Sequence, residues 1–185
     1  MNSKSAKILI TGGVRSGKSS HAVNLALSYS APRIFLATAE AFDQGMQERI
    51  AKHQEERNGN FLMIEEPVCL AAKIQSLEVQ PSVMVVDCLT VWINNLLYHF
   101  KENKNEIQKE IQDLIQAVEQ NPFPIIFVTN EVGLGLIPDN ALSRRYIDEL
   151  GNLNQGLARL CDEVIFMVSG IPTQIKGGIH ARMDH

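Results

Sequence analysis

The chain is poor in cysteine, and what it has is not arranged for metal or disulfide chemistry: Cys69, Cys88 and Cys161 are its three, far apart, with no C-x-x-C pair and no zinc spacing. That argues against a zinc-built or disulfide-stapled fold and predicts free thiols in a reducing cytoplasm. Long hydrophobic runs are missing too. No stretch approaches the length needed to cross a bilayer, and Met1 to Ala6 is too short and polar for a secretory leader, so a cytoplasmic protein without a membrane span is expected. Positive charge is not in excess: 17 Lys and Arg stand against 21 Asp and Glu, a net charge of −4. Proteins that bind nucleic acid usually carry a basic face, so no nucleic-acid partner is expected, and any cationic site must be local. Repeats, low-complexity tracts and long linkers are also absent. With 185 residues, 45% of them hydrophobic, the sequence fits one domain over 1–185 with a proper core and flexible ends at 1–6 and 178–185.

What is present centres on Gly12-Gly13-Val14-Arg15-Ser16-Gly17-Lys18-Ser19, which follows the apolar run Ile8-Leu9-Ile10 and precedes a helical pattern. This is G-x-x-x-x-G-K-[ST] between strand and helix, a phosphate-binding loop (P-loop). Glycines let successive backbone N–H groups turn inward toward phosphate oxygens, and the helix start adds its positive dipole end. Lys18 is placed to reach the β- and γ-phosphates and the Ser19 hydroxyl to ligate Mg²⁺. A nucleoside triphosphate is implied, but not what is done with it.

Lys7 to Thr11 reads as a buried strand, Lys18 to about Ser30 as a helix with Ala22, Leu25, Ala26 and Tyr29 on one face, and Arg33 to Thr38 as a second strand after Pro32. Continuous apolar strands of this kind are those of a parallel sheet covered on both faces. From about Asp43 to Arg57 a polar segment of good helix propensity follows, then a short strand, Phe61 to Glu65, and, preceded by Pro67, a short helix through Leu77. Ser82 to Asp87 is a hydrophobic strand ending in an acid, the Walker B arrangement that completes Mg²⁺ ligation beside a P-loop, although a strand-terminal Asp also serves as a simple cap. Leu89 to Phe100 reads as an apolar helix. Ile107, Ile111, Leu114, Ile115 and Val118 mark an amphipathic one. Pro124 to Thr129 is a further strand, about Asn140 to Leu160 a long helix, Glu163 to Val168 the last core strand, and Ser169 to Lys176 a further short strand. The fold class is α/β, a mostly parallel sheet covered by helices.

Several side chains are candidates for chemistry. Arg49, His53 and Arg57 recur at i, i+4 and i+8, so they share one side of a helix. A histidine between guanidinium groups suits phosphate chemistry, since imidazole can attack phosphorus while arginines neutralise oxygens. On spacing alone a solvated stripe explains the three better. His21 reads as packing, and His99 has no partner pattern. Arg144 and Arg145 suit either a phosphate clamp or an outer helix face. Glu131 lies at the strand end where open α/β sheets carry their ligands.

In combination, the P-loop with Ala37-Thr38-Ala39, Arg49-Ile50-x-x-His53-x-x-x-Arg57, Val86-Asp87-Cys88-Leu89-Thr90 and Thr129-Asn130-Glu131-Val132-Gly133-x-Gly135-x-x-Pro138 resembles the bifunctional adenosylcobinamide kinase / adenosylcobinamide-phosphate guanylyltransferase family. Arg144-Arg145-Tyr146 through Asn154-Gln155 and Val168-Ser169-Gly170 extend the likeness from about Ile8 to Lys176. The resemblance implies a P-loop NTPase fold of RecA-like type and a late step of coenzyme B12 assembly. ATP or GTP phosphorylates adenosylcobinamide, and GMP then passes from GTP through a histidine to the new phosphate.

By resemblance His53 is that covalent nucleophile. Nucleotide contacts carry over to Gly12, Gly13, Val14, Arg15, Ser16, Gly17, Lys18, Ser19, Ala37, Thr38, Ala39, Gln54, Glu55, Glu56, Arg57, Glu65 and Asp87, with Mg²⁺ at Ser19 and Asp87 and a homotrimer as the assembly. Some members carry Glu where this chain has Asp87; a shorter carboxylate that reads guanine instead of binding Mg²⁺ would loosen the preference for GTP. A monofunctional small-molecule kinase and a nucleotide-dependent switch are the alternatives. The N-K-x-D motif of GTPase switches is missing.

Overall fold

Alternation of side chains decides how the strands are used. The computed structural model describes residues 6–40 and 59–177. Its strands are β1 (Lys7–Gly12), β2 (Arg33–Ala37), β3 (Leu62–Glu65), β4 (Val83–Asp87), β5 (Ile125–Val128), β6 (Glu163–Val168) and β7 (Ile171–Lys176). They form one sheet in the order β3-β2-β4-β5-β1-β6-β7. On one face Leu9, Ile34, Leu36, Met84, Val86, Ile125 and Phe127 join a core with the helices α2 (Leu70–Gln75), α3 (Leu89–His99), α4 (Lys104–Gln120) and α5 (Ala141–Leu160). On the other, Ile8, Ile10, Phe35, Val83, Val85, Ile126 and Val128 pack with Ala22 and Ala26 of α1 (Lys18–Leu27). Both faces of each central strand are therefore buried, which is why these strands read as unbroken apolar runs.

Neighbours from β3 to β6 are parallel. Strand β7 returns antiparallel to β6 through Ser169 and Gly170, both at positive φ (51° and 84°), the two-residue turn that matches strand twist. Between the P-loop strand β1 and the acid-ended strand β4 stands β5, the arrangement of the RecA-like P-loop fold.

Helix ends differ from expectation for local reasons. Helix α1 stops at Leu27 because Ser28 and Tyr29 donate N–H bonds three residues back, to Leu25 and Ala26, tightening the last turn. Helix α2 begins only at Leu70, since the Glu66 carboxylate holds the N–H groups of Val68 (3.0 Å) and Cys69 (2.7 Å) in a preceding turn. Helix α4 begins where Asn103 caps it by accepting from the Asn105 N–H at 3.1 Å, and it buries Ile107, Ile111, Leu114 and Val118 as its periodicity requires. The polar segment with Arg49, His53 and Arg57 lies outside the described residues.

Candidate active site

Strand register brings the expected positions into one line. Glu65 pairs with Ala37, Ala37 with Asp87, Asp87 with Val128, and Val128 with Ile10 of the P-loop strand. One transverse row near the carboxyl ends of five strands thus carries Glu65, Ala37 and Asp87, and two residues beyond Ile10 the P-loop begins. This is the edge where open α/β sheets bind ligands.

The loop itself is locked from outside. Gly12 has φ +145°, and a Cβ there would lie 2.4 Å from the Met167 carbonyl oxygen, so only glycine fits. Its own carbonyl accepts the Glu131 N–H at 3.1 Å. Gly17, φ +92°, packs close to Gly170, whose N–H donates to the Ser16 carbonyl at 3.0 Å. Arg15 adopts φ 57° on the exposed crest beside Val14. Helix α1 starts without a side-chain cap or an acid in its first turn, leaving its terminal N–H groups for an anion.

Lys18 is buried, its ammonium folded back onto the loop at 2.6 Å from the Gly13 carbonyl and 3.5 Å from Ser16 Oγ. Burial lowers its pKa, and the negative charge of Asp87 acts in the opposite sense. Asp87 at the end of β4 therefore shares an electrostatic neighbourhood with the P-loop lysine. Burial, with Asp87 beside it, pushes the Cys88 thiol up to about 11, so it is a neutral lining group and not a nucleophile.

Polar side chains tie the strand exits together. Thr38 Oγ1 donates to the Cys88 carbonyl (2.8 Å) and accepts the Cys88 N–H (2.9 Å). Asn95, fully buried on α3, donates from Nδ2 to the carbonyls of Thr38 (2.7 Å) and Pro67 (3.1 Å). Thr90 Oγ1 accepts the Asn130 N–H at 2.8 Å, Asn154 Nδ2 donates to the Asn130 carbonyl at 3.1 Å, and Asn154 Oδ1 accepts from the Thr129 hydroxyl at 2.9 Å. Thr90 and Asn154 belong to stretches that carry the family resemblance but have no role assigned from sequence, and Asn95 has no mark there at all. An amide at a buried helical position one turn from Trp92 is the available signal for Asn95.

Other candidates are placed differently. Arg144 donates to the carbonyls of Pro138 (2.9 Å) and Asp139 (2.5 Å), and Arg145 to that of Glu102, so both guanidinium groups brace backbone. Glu131 accepts from the Gly133 N–H at 3.2 Å, shaping its own loop. His99, which showed no partner pattern, has Nε2 3.0 Å from Glu40 Oε1. His53, Gln54, Glu55, Glu56 and Arg57 lie outside the described residues. Among the described residues no group of three or more His, Cys, Asp or Glu is placed to hold a metal. A P-loop Mg²⁺ does not require one: a hydroxyl, one carboxylate and nucleotide phosphates supply hard oxygens, and Ser19 with Asp87 fits that donor set.

The family model described as cobinamide kinase / cobinamide phosphate guanyltransferase matches residues 8–175. The chain is 41% identical over 169 residues to the bifunctional adenosylcobalamin biosynthesis protein CobP of Pseudomonas aeruginosa, covering 91% of this chain and 96% of that one. It is 38% identical over 181 residues to the protein of like description, CobU, of Salmonella typhimurium, covering 91% and 99%. Among solved structures, an ATPase of a bacterial type III secretion system superposes with a TM-score of 0.57 at 11% identity, covering 92% of this chain and 57% of that one. The Pyrococcus horikoshii protein PH0250 does so with 0.55 at 12%, covering 94% and 87%. These two likenesses establish the fold alone.

Proposed function

This chain belongs to the cobinamide kinase / cobinamide phosphate guanyltransferase family, and we propose that its one P-loop serves both transfers. It phosphorylates cobinamide and then attaches a guanylyl group to the product. The observation that carries the shared-site reading is the transverse row: Glu65, Ala37 and Asp87 lie on the same sheet edge as the loop holding Lys18.

In the first transfer the free hydroxyl of cobinamide attacks the γ-phosphorus of ATP or GTP. The bond from that phosphorus to the β,γ-bridging oxygen breaks, the nucleoside diphosphate leaves, and the hydroxyl proton is released. Such transfers need positioning and charge neutralisation more than covalent help from the protein. Loop N–H groups and the start of α1 hold phosphate oxygens, while Lys18 exchanges the Gly13 carbonyl for the β- and γ-phosphates. Ser19 and Asp87 would hold Mg²⁺, which when bound spreads the negative charge of the triphosphate.

In the second transfer an imidazole nitrogen of His53 attacks the α-phosphorus of GTP, and pyrophosphate leaves as the α,β-bridging bond breaks. A phosphate oxygen of cobinamide phosphate then displaces the P–N bond, freeing His53 and forming cobinamide-GDP. Covalent catalysis divides one displacement into two. Ala37 to Ala39, Gln54 to Arg57 and Glu65 serve as nucleotide contacts in this reading. A homotrimer is the proposed assembly, and the free thiols of Cys69, Cys88 and Cys161 support a cytoplasmic setting. No helix among the described residues is long and apolar enough to cross a membrane.

The test separates the two phosphorus atoms. With GTP labelled at the α-phosphate, the parent protein takes up acid-labile label and His53→Ala does not, while His53→Ala still phosphorylates cobinamide. Equal loss of both activities in a folded variant would sink the assignment, and an unlabelled parent protein would point to a kinase alone.

A further inference from the structure

The P-loop accounts for the triphosphate but leaves the acceptor without a place. Cobinamide is a broad, flat macrocycle with apolar faces, a fringe of amides and one flexible arm ending in the reactive hydroxyl. It needs an open surface that is apolar in the middle, carries hydrogen-bonding groups at its margin and lies next to the γ-phosphate.

Cavities among the described residues differ sharply on these criteria. One of ≈ 960 Å³ lies on the flank between α4 and α5 and is lined by the charged side chains of Lys104, Arg144, Arg145, Asp148 and Glu149, with no aromatic ring to cover an apolar face. Another, ≈ 380 Å³, is lined by Leu77, Gln120 and Phe123, at the edge where β5 begins and so opposite the P-loop. A third, of ≈ 160 Å³ against the β5–α5 loop, is too small. A further cavity, ≈ 820 Å³, runs between α3 and the start of α5, lined by Thr90, Asn94, Tyr98, Leu142, Ser143 and Tyr146 among others.

That last groove meets the chemical requirements. Its mouth carries exposed apolar surface, Tyr98 at 69% and Leu142 at 48%. Hydroxyl and amide groups of Asn94, Ser143 and Tyr146 border it, together with the charged side chains of Lys101 and Glu102. Its inner end is Thr90, three residues beyond Asp87, and Tyr146 donates its hydroxyl to the Thr90 carbonyl at 3.3 Å. Thr90 Oγ1 in turn accepts the N–H of Asn130, two residues beyond Val128, which lies in register between Asp87 and Ile10 of the P-loop strand. The groove therefore adjoins the sheet edge that carries Asp87 and the P-loop.

We propose that the groove between α3 and α5, from Tyr98 and Leu142 at its mouth to Thr90 at its inner end, is the corrinoid site. The Tyr98 ring and Leu142 cover apolar corrin surface, Asn94 and Ser143 meet the amide fringe, and the hydroxyl arm points past Thr90 toward the triphosphate. This assignment rests on the family's acceptor being cobinamide. An aromatic face and an aliphatic side chain are the contact types that dominate binding in such sites.

Calorimetric titration with adenosylcobinamide, in the presence of a non-hydrolysable GTP analogue, tests it on Tyr98→Ala and Leu142→Glu, both at exposed positions. Expected is a corrinoid affinity at least about tenfold weaker in each, the scale of losing a contact that carries binding energy, with a matching rise in KM for cobinamide. KM for GTP and labelling of the protein by α-labelled GTP without corrinoid stay as in the parent. Unchanged corrinoid affinity in both variants overturns the groove alone. So does a changed sedimentation coefficient with unchanged corrinoid affinity, which would make this face a contact between copies. Failure of the parent protein itself to bind cobinamide overturns the groove together with the family reading beneath it.

Discussion

Thr38 and Cys88 clasp one another across the exits of β2 and β4, the threonine hydroxyl donating to the cysteine carbonyl at 2.8 Å and accepting its N–H at 2.9 Å. The Thr38 N–H adds a bond to the Asp87 carbonyl at 3.2 Å, and Asn95 holds the Thr38 carbonyl from α3. Asp87 is thus fixed through its backbone by the strand beside it. Nucleotide-site geometry depends on a fully buried hydroxyl that itself points at backbone.

Thr38→Val keeps the shape and removes the hydroxyl, leaving a buried N–H and a carbonyl of Cys88 without that partner. Unmet buried polar groups cost about 1–3 kcal/mol. The expected result is a loss of that order in urea unfolding, together with a raised KM for GTP. Thr38→Ser, which restores the oxygen, should recover most of both. A Val variant as stable as the parent would mean that the clasp contributes nothing.

Gly12 and Gly13 are neighbours in sequence and opposites in tolerance. A Cβ on Gly12 meets the Met167 carbonyl at 2.4 Å at φ +145°, whereas one on Gly13 meets nothing within 4 Å. Gly12→Ala must displace β6 backbone or unwind the loop, a strain of about 1–3 kcal/mol before any clash is counted. Thermal melting should show a marked loss for Gly12→Ala and little change for Gly13→Ala. Triphosphate binding should vanish in the first. Equal melting temperatures would contradict the packing of the loop on β6.

Alkaline stability follows from the buried thiol of Cys161, which burial pushes from 9.0 up to about 12. Between those values the unfolded chain releases the thiol proton while the native state keeps it, so the native state binds more protons and stability falls as pH rises. A full proton difference corresponds to about 1.4 kcal/mol per pH unit. Cys161→Ala gives up some core packing at neutral pH but removes this slope. Denaturation curves from pH 8 to 11 should therefore converge for the two proteins; parallel curves would refute the shift.

Much of this site is written locally, and its assembly is not. The P-loop and the Asp87 strand end are legible because each is a contiguous motif whose chemistry needs adjacent residues. The alternation that divides Ile8 and Ile10 from Leu9 is hidden in an all-apolar run, since both faces are buried. Strand order is a long-range choice, so nothing near Glu65 announces that it will align with Ala37 and Asp87. Asn95 is similar: in an apolar helix it reads as a defect until its partners, 57 and 28 residues away, are in place. The acceptor groove depends on α3 meeting α5 and has no local signature at all.

Lys18 carries the sharpest conflict between stability and function. Its ammonium is buried before any phosphate arrives, and burial lowers its pKa below 10.5 despite the opposing charge of Asp87. Between the lowered value and 10.5 the unfolded chain holds more protons than the native state, so this group makes stability rise with pH. Lys18→Met keeps the length and drops the charge. It loses the bonds to Gly13 and Ser16 but also the burial of a cation, and replacing a buried charge by an apolar side chain of similar volume is often neutral or stabilising. The ligand-free variant should melt no lower than the parent, and the parent's extra gain on approaching pH 10.5 should be missing from it. GTP should no longer raise its melting temperature. Both transfers should fall by about 10²–10³-fold or more, the scale of losing one charge-stabilising donor at a reacting phosphate. Full labelling by α-labelled GTP in this variant would separate the two activities into different sites, and a clearly destabilised ligand-free protein would show that the bonds to the loop outweigh the cost of burying the charge.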